Sequence, residues 1–115
     1  MTTYTVVDRD QLDASAGVLE LQGYRAGAAV SVILVDLPPG GAVRLHRHAY
    51  QEVFVVQEGR ATYRVGDEVL DVRAGQILVV SPGVAHAFAN TGDGPLRQVD
   101  IHVSDRFVTE WLESA

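Results

Sequence analysis

Apolar and polar residues alternate along most of this chain, in short runs broken by Gly, Pro and Asp. A repeat of two marks strands, because successive side chains point to opposite sides. The runs predict strands at Tyr4–Val7, Val18–Gln22, Ala28–Leu37, Ala42–His48, Glu52–Glu58, Arg60–Val65, Glu68–Val72, Gln76–Val80, Ala85–Asn90 and Leu96–Val103. Turn residues separate them, as in Pro38-Pro39-Gly40-Gly41, Gly66-Asp67 and Ser81-Pro82-Gly83. Many short strands at this spacing predict an all-β antiparallel sandwich or barrel. Only the tail reads differently. Phe107, Val108, Trp111 and Leu112 follow helical spacing, so a short helix is expected over Arg106–Glu113, with Trp111 as its anchor.

The alternation also assigns faces. Arg44, His46 and His48 share one side of their run, and Glu52, Phe54 and Val56 share one side of the next. The opposite sides carry Val43 and Leu45, then Val53 and Val55, so both faces are apolar enough to require cover. The N-terminal strands, the C-terminal helix or a second subunit would supply that cover. A homodimer is the expectation.

Composition narrows the class. The 115 residues favour one domain, 1–115, and 47% apolar content supports a core. The net charge is −6, with nine Arg and no Lys, which argues against nucleic acid or anionic membrane as partners. There is no Lys for a Schiff base, and no Cys for a thiol nucleophile, disulfide or thiolate ligand. No basic stretch followed by an apolar run opens the chain, and the apolar stretch around Val30–Leu37 is too short to span a bilayer. A soluble, cytoplasmic protein is expected.

Chemistry concentrates in two Gly-marked segments. His46, His48 and Glu52 lie within seven residues, and His86 follows in the second segment. A His-x-His pair on a strand sets two imidazoles on one face, about 7 Å apart at the backbone. A carboxylate from the paired strand and a third imidazole from a later one complete a mixed nitrogen and oxygen set. Such a set suits one divalent first-row metal (Mn, Fe, Co, Ni, Cu or Zn) and leaves positions open.

The first segment, with Gly40, His46, His48, Glu52 and Gly59, resembles the first cupin motif at every fixed position. The second, with Gly75, Gly83, His86 and Asn90, resembles the second cupin motif, departing where Ser81 stands in place of proline and Pro82 follows. Together they cover residues 40–90. The resemblance implies a small single-domain cupin: a double-stranded β-helix, jelly-roll-like, with metal held by His46, His48, Glu52 and His86. Some cupins bind small ligands without metal, but those usually lack one or more of the ligands. The glycines read as turn residues, and Asn90 as a side chain bonding turn backbone. A second, weaker resemblance is to small cupins that linearise unsaturated uronates, which carry an Asp and an Arg spaced as Asp100 and Arg106 are, near a C-terminal Trp; His102 stands where they have an aromatic.

Beyond the ligands, Asp100 and His102 share a face opposite Val99, Ile101 and Val103. Solvent exposure is one reading. The favoured one is a polar face lining a wet cavity, where the two would form an acid/base pair, with Arg106 nearby. Arg44 either holds a substrate carboxylate bidentately or closes a salt bridge at the barrel mouth. Tyr50 is an ordinary turn residue or lines the entrance, and Phe54, Tyr63 and Phe88 are core or cavity wall. The preferred function is Lewis-acid isomerase or lyase chemistry on a small oxygenated molecule such as a sugar acid, keto acid or polyketide-like compound. A metal-dependent dioxygenase, for which the same ligand set serves, and a non-enzymatic ligand-binding barrel are the alternatives.

Overall fold

A computed structural model describes residues 3–114. Eleven strands form two antiparallel sheets facing each other. They are β1 (Asp13–Ser15), β2 (Val18–Leu21), β3 (Ser31–Leu37), β4 (Ala42–Arg47), β5 (Glu52–Glu58), β6 (Arg60–Val65), β7 (Glu68–Arg73), β8 (Ile77–Val80), β9 (His86–Asn90), β10 (Leu96–His102) and β11 (Glu110–Trp111). One sheet runs β1-β2-β3-β10-β5-β8 and the other β11-β4-β9-β6-β7. This is the antiparallel all-β sandwich expected from the strand pattern, with the jelly-roll form that the resemblance implies.

The inward positions of both sheets make the core. Val35, Leu37, Phe54, Val56, Ala61, Tyr63, Val72, Val80, Phe88 and Leu96 are buried in one cluster. Phe54 packs edge-to-face on Tyr63, with ring centroids 5.2 Å apart. The core occupies one end of the barrel, and the buried histidines occupy the other. Between hairpins, Gly59 takes φ 81°, and a Cβ there would meet the Pro95 carbonyl oxygen at 2.3 Å, so glycine is required on both counts. Asn90 ties two turns together: its amide donates to the carbonyls of Leu37 and Gly94 at 3.0 and 2.9 Å, and its oxygen accepts from the Gly92 N–H.

Three expectations need correction. No helix forms over Arg106–Glu113. The tail instead extends beside β4, pairing Glu110 with Arg47 and Trp111 with His46, and the Leu112 N–H donates to the Leu45 carbonyl. β4 would otherwise be an edge with open backbone groups, and satisfying those outweighs a weak helical repeat. Residues Tyr4–Val7 form no strand; Tyr4 and Val6 are 78% and 77% exposed, with no partner strand alongside. Strict alternation also fails within β4. Its register against β9 shifts between Val43 and His46, so that Val43 opposes Phe88 and His46 opposes His86. This bulge lets both Val43 and His46 face inward, and it leaves Arg44 exposed.

The outer face of the six-stranded sheet is aliphatic and half-buried, becoming exposed at its β8 edge. Two cross-strand rows traverse it: Leu19, Leu34, Val99, Val55 and Ile77, then Leu21, Val32, Ile101, Val53 and Val79. Ile77 and Val79 are 63% and 52% exposed. An ion-paired row of Asp36, Arg97 and Glu58 borders the patch.

Candidate metal centre

Adjacent strands bring the four motif residues to one point. His46 and His86 are cross-strand partners on β4 and β9. His48 follows the end of β4, and Glu52 opens β5 on the facing sheet. One donor atom from each lies within 4.8 Å of the others, and all four side chains are buried.

The donor chemistry fits a metal. His46 Nδ1 lies 2.7 Å from the Arg44 carbonyl, His48 Nδ1 2.9 Å from that of Val108, and His86 Nδ1 2.9 Å from that of Val84. A carbonyl only accepts, so each Nδ1 carries the proton and each neutral imidazole presents an Nε2 lone pair. His48 Nε2 and His86 Nε2 then point at Glu52 Oε1, 3.1 and 3.0 Å away. Lone pairs facing a carboxylate oxygen repel unless a cation sits among them. His48 Nε2 is buried without a hydrogen-bond partner, 3.1 Å from Glu52 Oε1 but out of line with it. A divalent ion would satisfy all of these groups.

Electrostatics agrees. Burial, together with His86 and His48 at its side, holds the His46 imidazole down to about 4 against the pull of the Arg44 carbonyl, so it is a ready neutral ligand. Burial pushes the Glu52 carboxyl up, but His102, His48 and His86 hold it well below the usual range, so it is ionised. Burial lowers His86, but the Glu52 hydrogen bond, the Val84 carbonyl and the Glu52 charge together outweigh it and leave the imidazole raised above its ordinary value. In the metal-free protein a proton on His86 takes the place of the cation. Metal and proton therefore compete for one nitrogen, and affinity should weaken as pH falls below the raised His86 range. Calorimetric metal titration near neutral pH, in two buffers of different ionisation enthalpy, should show buffer-dependent heats from proton release. Identical heats would contradict this reading.

The other candidate residues divide. Asp100 and His102 face inward and are 3% and 4% exposed. Asp100 accepts from the Gln98 amide at 2.8 Å, and Gln98 in turn accepts from the Tyr63 hydroxyl at 2.6 Å. Burial, then the Glu52 charge, pushes the Asp100 carboxyl well up, so it is neutral. His102 has both ring nitrogens engaged, Nε2 with Glu52 Oε2 at 3.1 Å and Nδ1 with the Tyr50 hydroxyl at 2.7 Å. Tyr50 also stacks on His48, with centroids 4.9 Å apart. Phe54 and Phe88 are buried in the core, and the Phe54 ring lies 5.7 Å from that of His86. Arg44 sits at the mouth over the Trp111 ring, 4.1 Å from its centroid, and donates to the Glu113 carbonyl. Arg106 is not brought to the cluster. It is exposed, lies over Tyr24 at 4.3 Å, and neighbours Asp105.

The tail contributes what sequence reasoning missed. Val108 supplies the carbonyl for His48, Trp111 packs on His46 at 4.9 Å, and Phe107 packs on His102 at 4.9 Å. Glu20 was also missed; it lines the cavity with its carboxyl raised, by burial first. A hint was available in Glu20 itself, an acid at an inward-alternating position of β2.

The cluster lies in the wall of a cavity of about 970 Å³. Val18, Ile33, Val35, Phe88, Phe107 and Trp111 supply apolar lining, beside Glu20, Glu52, Asp100 and His102. Among the described residues no helix is long and apolar enough to cross a membrane.

Comparison with known proteins follows the same outline. The family described as cupin domain matches residues 33–102. A polyketide synthase, CurC, of Streptomyces cyaneus is 38% identical over 72 residues, which are 62% of this chain and 46% of that protein. An oxalate-binding protein of Thermotoga maritima is 30% identical over 63 residues, 54% of this chain and 52% of that one. The chain spans about half the length of the curated relatives it matches. Among solved structures, oxalate decarboxylase of Lactobacillus farciminis in a formate complex superposes with a TM-score of 0.79 at 23% identity, over 90% of this chain and 34% of that one.

Proposed function

This chain belongs to the cupin domain family, and from that premise we propose that it is a metal-dependent enzyme acting on a carbonyl-bearing, largely apolar substrate of ring-system size. The observation that carries the reading is a cluster of three imidazoles and one carboxylate, of which His46, His48 and Glu52 line a large, mainly apolar cavity. A volume of about 970 Å³ is far larger than a two-carbon dianion needs. A polyketide-like compound suits the space better than oxalate, in keeping with the relative named as a polyketide synthase.

His46, His48, Glu52 and His86 would hold the ion. When bound, it supplies Lewis-acid polarisation of a carbonyl oxygen. The protein's own groups do the rest. The aliphatic and aromatic wall excludes water and orients the substrate. Asp100 holds a proton on Oδ2, the oxygen that Gln98 does not engage; its neutral carboxyl would donate that proton to an enolate carbon, and the carboxylate so formed would take a proton from the same carbon in the reverse, enolising direction. Arg44 at the mouth and Phe88 on the wall are the candidate substrate contacts; Tyr50 and Phe54 support the site from behind it.

The test is solvent-deuterium exchange at the activated carbon of aromatic β-keto compounds, followed by NMR with metal-loaded protein. Metal-dependent exchange, falling about 10²–10⁴-fold in Asp100→Asn, is the expected result. Oxygen uptake by iron-loaded protein on catechols, flavonols or diketones would replace this reading with the dioxygenase one. Ligand-induced thermal stabilisation with no turnover would replace it with a binding module.

The aliphatic rows on the outer sheet face support a second copy of the chain as the partner. Ten aliphatic side chains bordered by an ion-paired row have the anatomy of an interface core with a polar rim. Light scattering should give a dimer at micromolar concentration, and Val55→Glu should give a monomer. A monomeric native protein would remove the proposal.

A further inference from the structure

We infer that His102 is a positioning residue for the metal's carboxylate ligand, and that it is itself held in place, through Tyr50, by the C-terminal tail. The inference rests on the metal reading of the site. The contacts can be traced atom by atom. The Val108 N–H donates to the Tyr50 hydroxyl at 3.3 Å. Tyr50 then turns its own proton to His102 Nδ1, 2.7 Å away. With Nδ1 as acceptor, His102 carries its proton on Nε2, which lies 3.1 Å from Glu52 Oε2. The other Glu52 oxygen, Oε1, faces His48 and His86. His48 in turn donates Nδ1–H to the carbonyl of Val108, the same tail residue whose N–H reaches Tyr50.

Two consequences follow from this directionality. Glu52 is divided: Oε2 is occupied by His102, and only Oε1 is free for an ion, so the carboxylate acts as a one-oxygen ligand. The Val108 peptide is also shared, its N–H orienting the carboxylate through Tyr50 and His102 while its C=O sets the tautomer of His48. One tail peptide thus sets two metal ligands. The register supports the pairing, since Glu52 and His102 are direct cross-strand partners on β5 and β10, and the His102 ring is wedged between His48 at 4.6 Å and Phe107 at 4.9 Å. Outer groups of this kind hold ligand orientation, and their loss typically lowers metal affinity about 10–100-fold.

The experiment uses the full chain, stripped of metal and reloaded with Mn(II), with affinity read by titration and ligand geometry by the Mn(II) electron paramagnetic resonance spectrum. His102→Ala is expected to weaken Mn(II) binding about 10–100-fold and to change the zero-field splitting, as Glu52 becomes free to chelate through both oxygens. Tyr50→Phe should weaken binding less, and should have no further effect in the His102→Ala background, because it acts through His102. His102→Gln, whose amide still donates, should recover part of the loss. If His102→Ala fails to fold, Tyr50→Phe and His102→Gln carry the same comparison. A His102→Ala protein with native affinity and an unchanged spectrum would overturn the positioning role while leaving the metal site standing. So would additive losses in the double variant. Native protein that binds neither Mn(II) nor any other first-row divalent ion would overturn the metal reading and this inference together.

Discussion

Glu52→Gln should leave the barrel folded and abolish its response to metal. The native metal-free site sets Nε2 of His48 and of His86 against one buried carboxylate oxygen. The variant amide turns those contacts into N–H donations to the same nitrogens, while its oxygen still accepts from His102. Its metal-free stability should therefore change little. What is lost is the one anionic ligand among three neutral ones, and affinity should fall by more than the roughly 100-fold upper range of an outer-shell change. Metal at about a hundred times its Kd adds about 2.7 kcal/mol to the native protein, roughly 10 °C of Tm for a domain of this size. The variant should show no such rise under the same conditions. An equal rise in Tm in Glu52→Gln would mean that the ion binds elsewhere.

Phe54→Ala should give the largest loss of stability. Phe54 is 1% exposed and touches the rings of Tyr63, Phe88 and His86. It joins the apolar end of the barrel to the metal end. Truncation removes buried apolar surface and leaves a cavity that three ring neighbours cannot close, costing about 3–5 kcal/mol. That is a large fraction of the roughly 5–15 kcal/mol available to a domain. A Tm drop of roughly 12–20 °C in the metal-free protein is expected, with weaker metal binding because His86 loses a wall. A loss below about 1 kcal/mol by chemical denaturation would show that the barrel end repacks and that Phe54 does not bridge the two regions.

Much of this was readable from the residues. His46, His48, Glu52 and His86 converge because their spacing places them on neighbouring strands with side chains pointing inward, and a repeat of two is enough to state that for Glu52, Phe54 and Val56. Period put Asp100 and His102 on one face, but the apolar residues opposite left solvent and cavity both open, and only the fold turns the pair inward. The repeat fails where one extra residue enters. The bulge between Val43 and His46 changes which residues share a face and leaves Arg44 at the mouth, and nothing in the local composition announces it. The tail misled for a different reason: Phe107, Val108, Trp111 and Leu112 do have helical spacing, but the open edge of β4 offers backbone partners that a helix would forgo. The contacts around His102 were out of reach because their members come from three places, with Tyr50 and His102 52 positions apart and Val108 and His48 60 apart. Only the closed fold makes them neighbours.

The central claim is that this cluster holds a metal ion, and elemental analysis of untagged protein tests it most directly, alongside His48→Ala purified in the same way. The account predicts a near-stoichiometric first-row divalent metal in the native chain and its loss in the variant. Native protein without metal, and unable to take up Mn, Fe, Co, Ni, Cu or Zn on reconstitution, would contradict it.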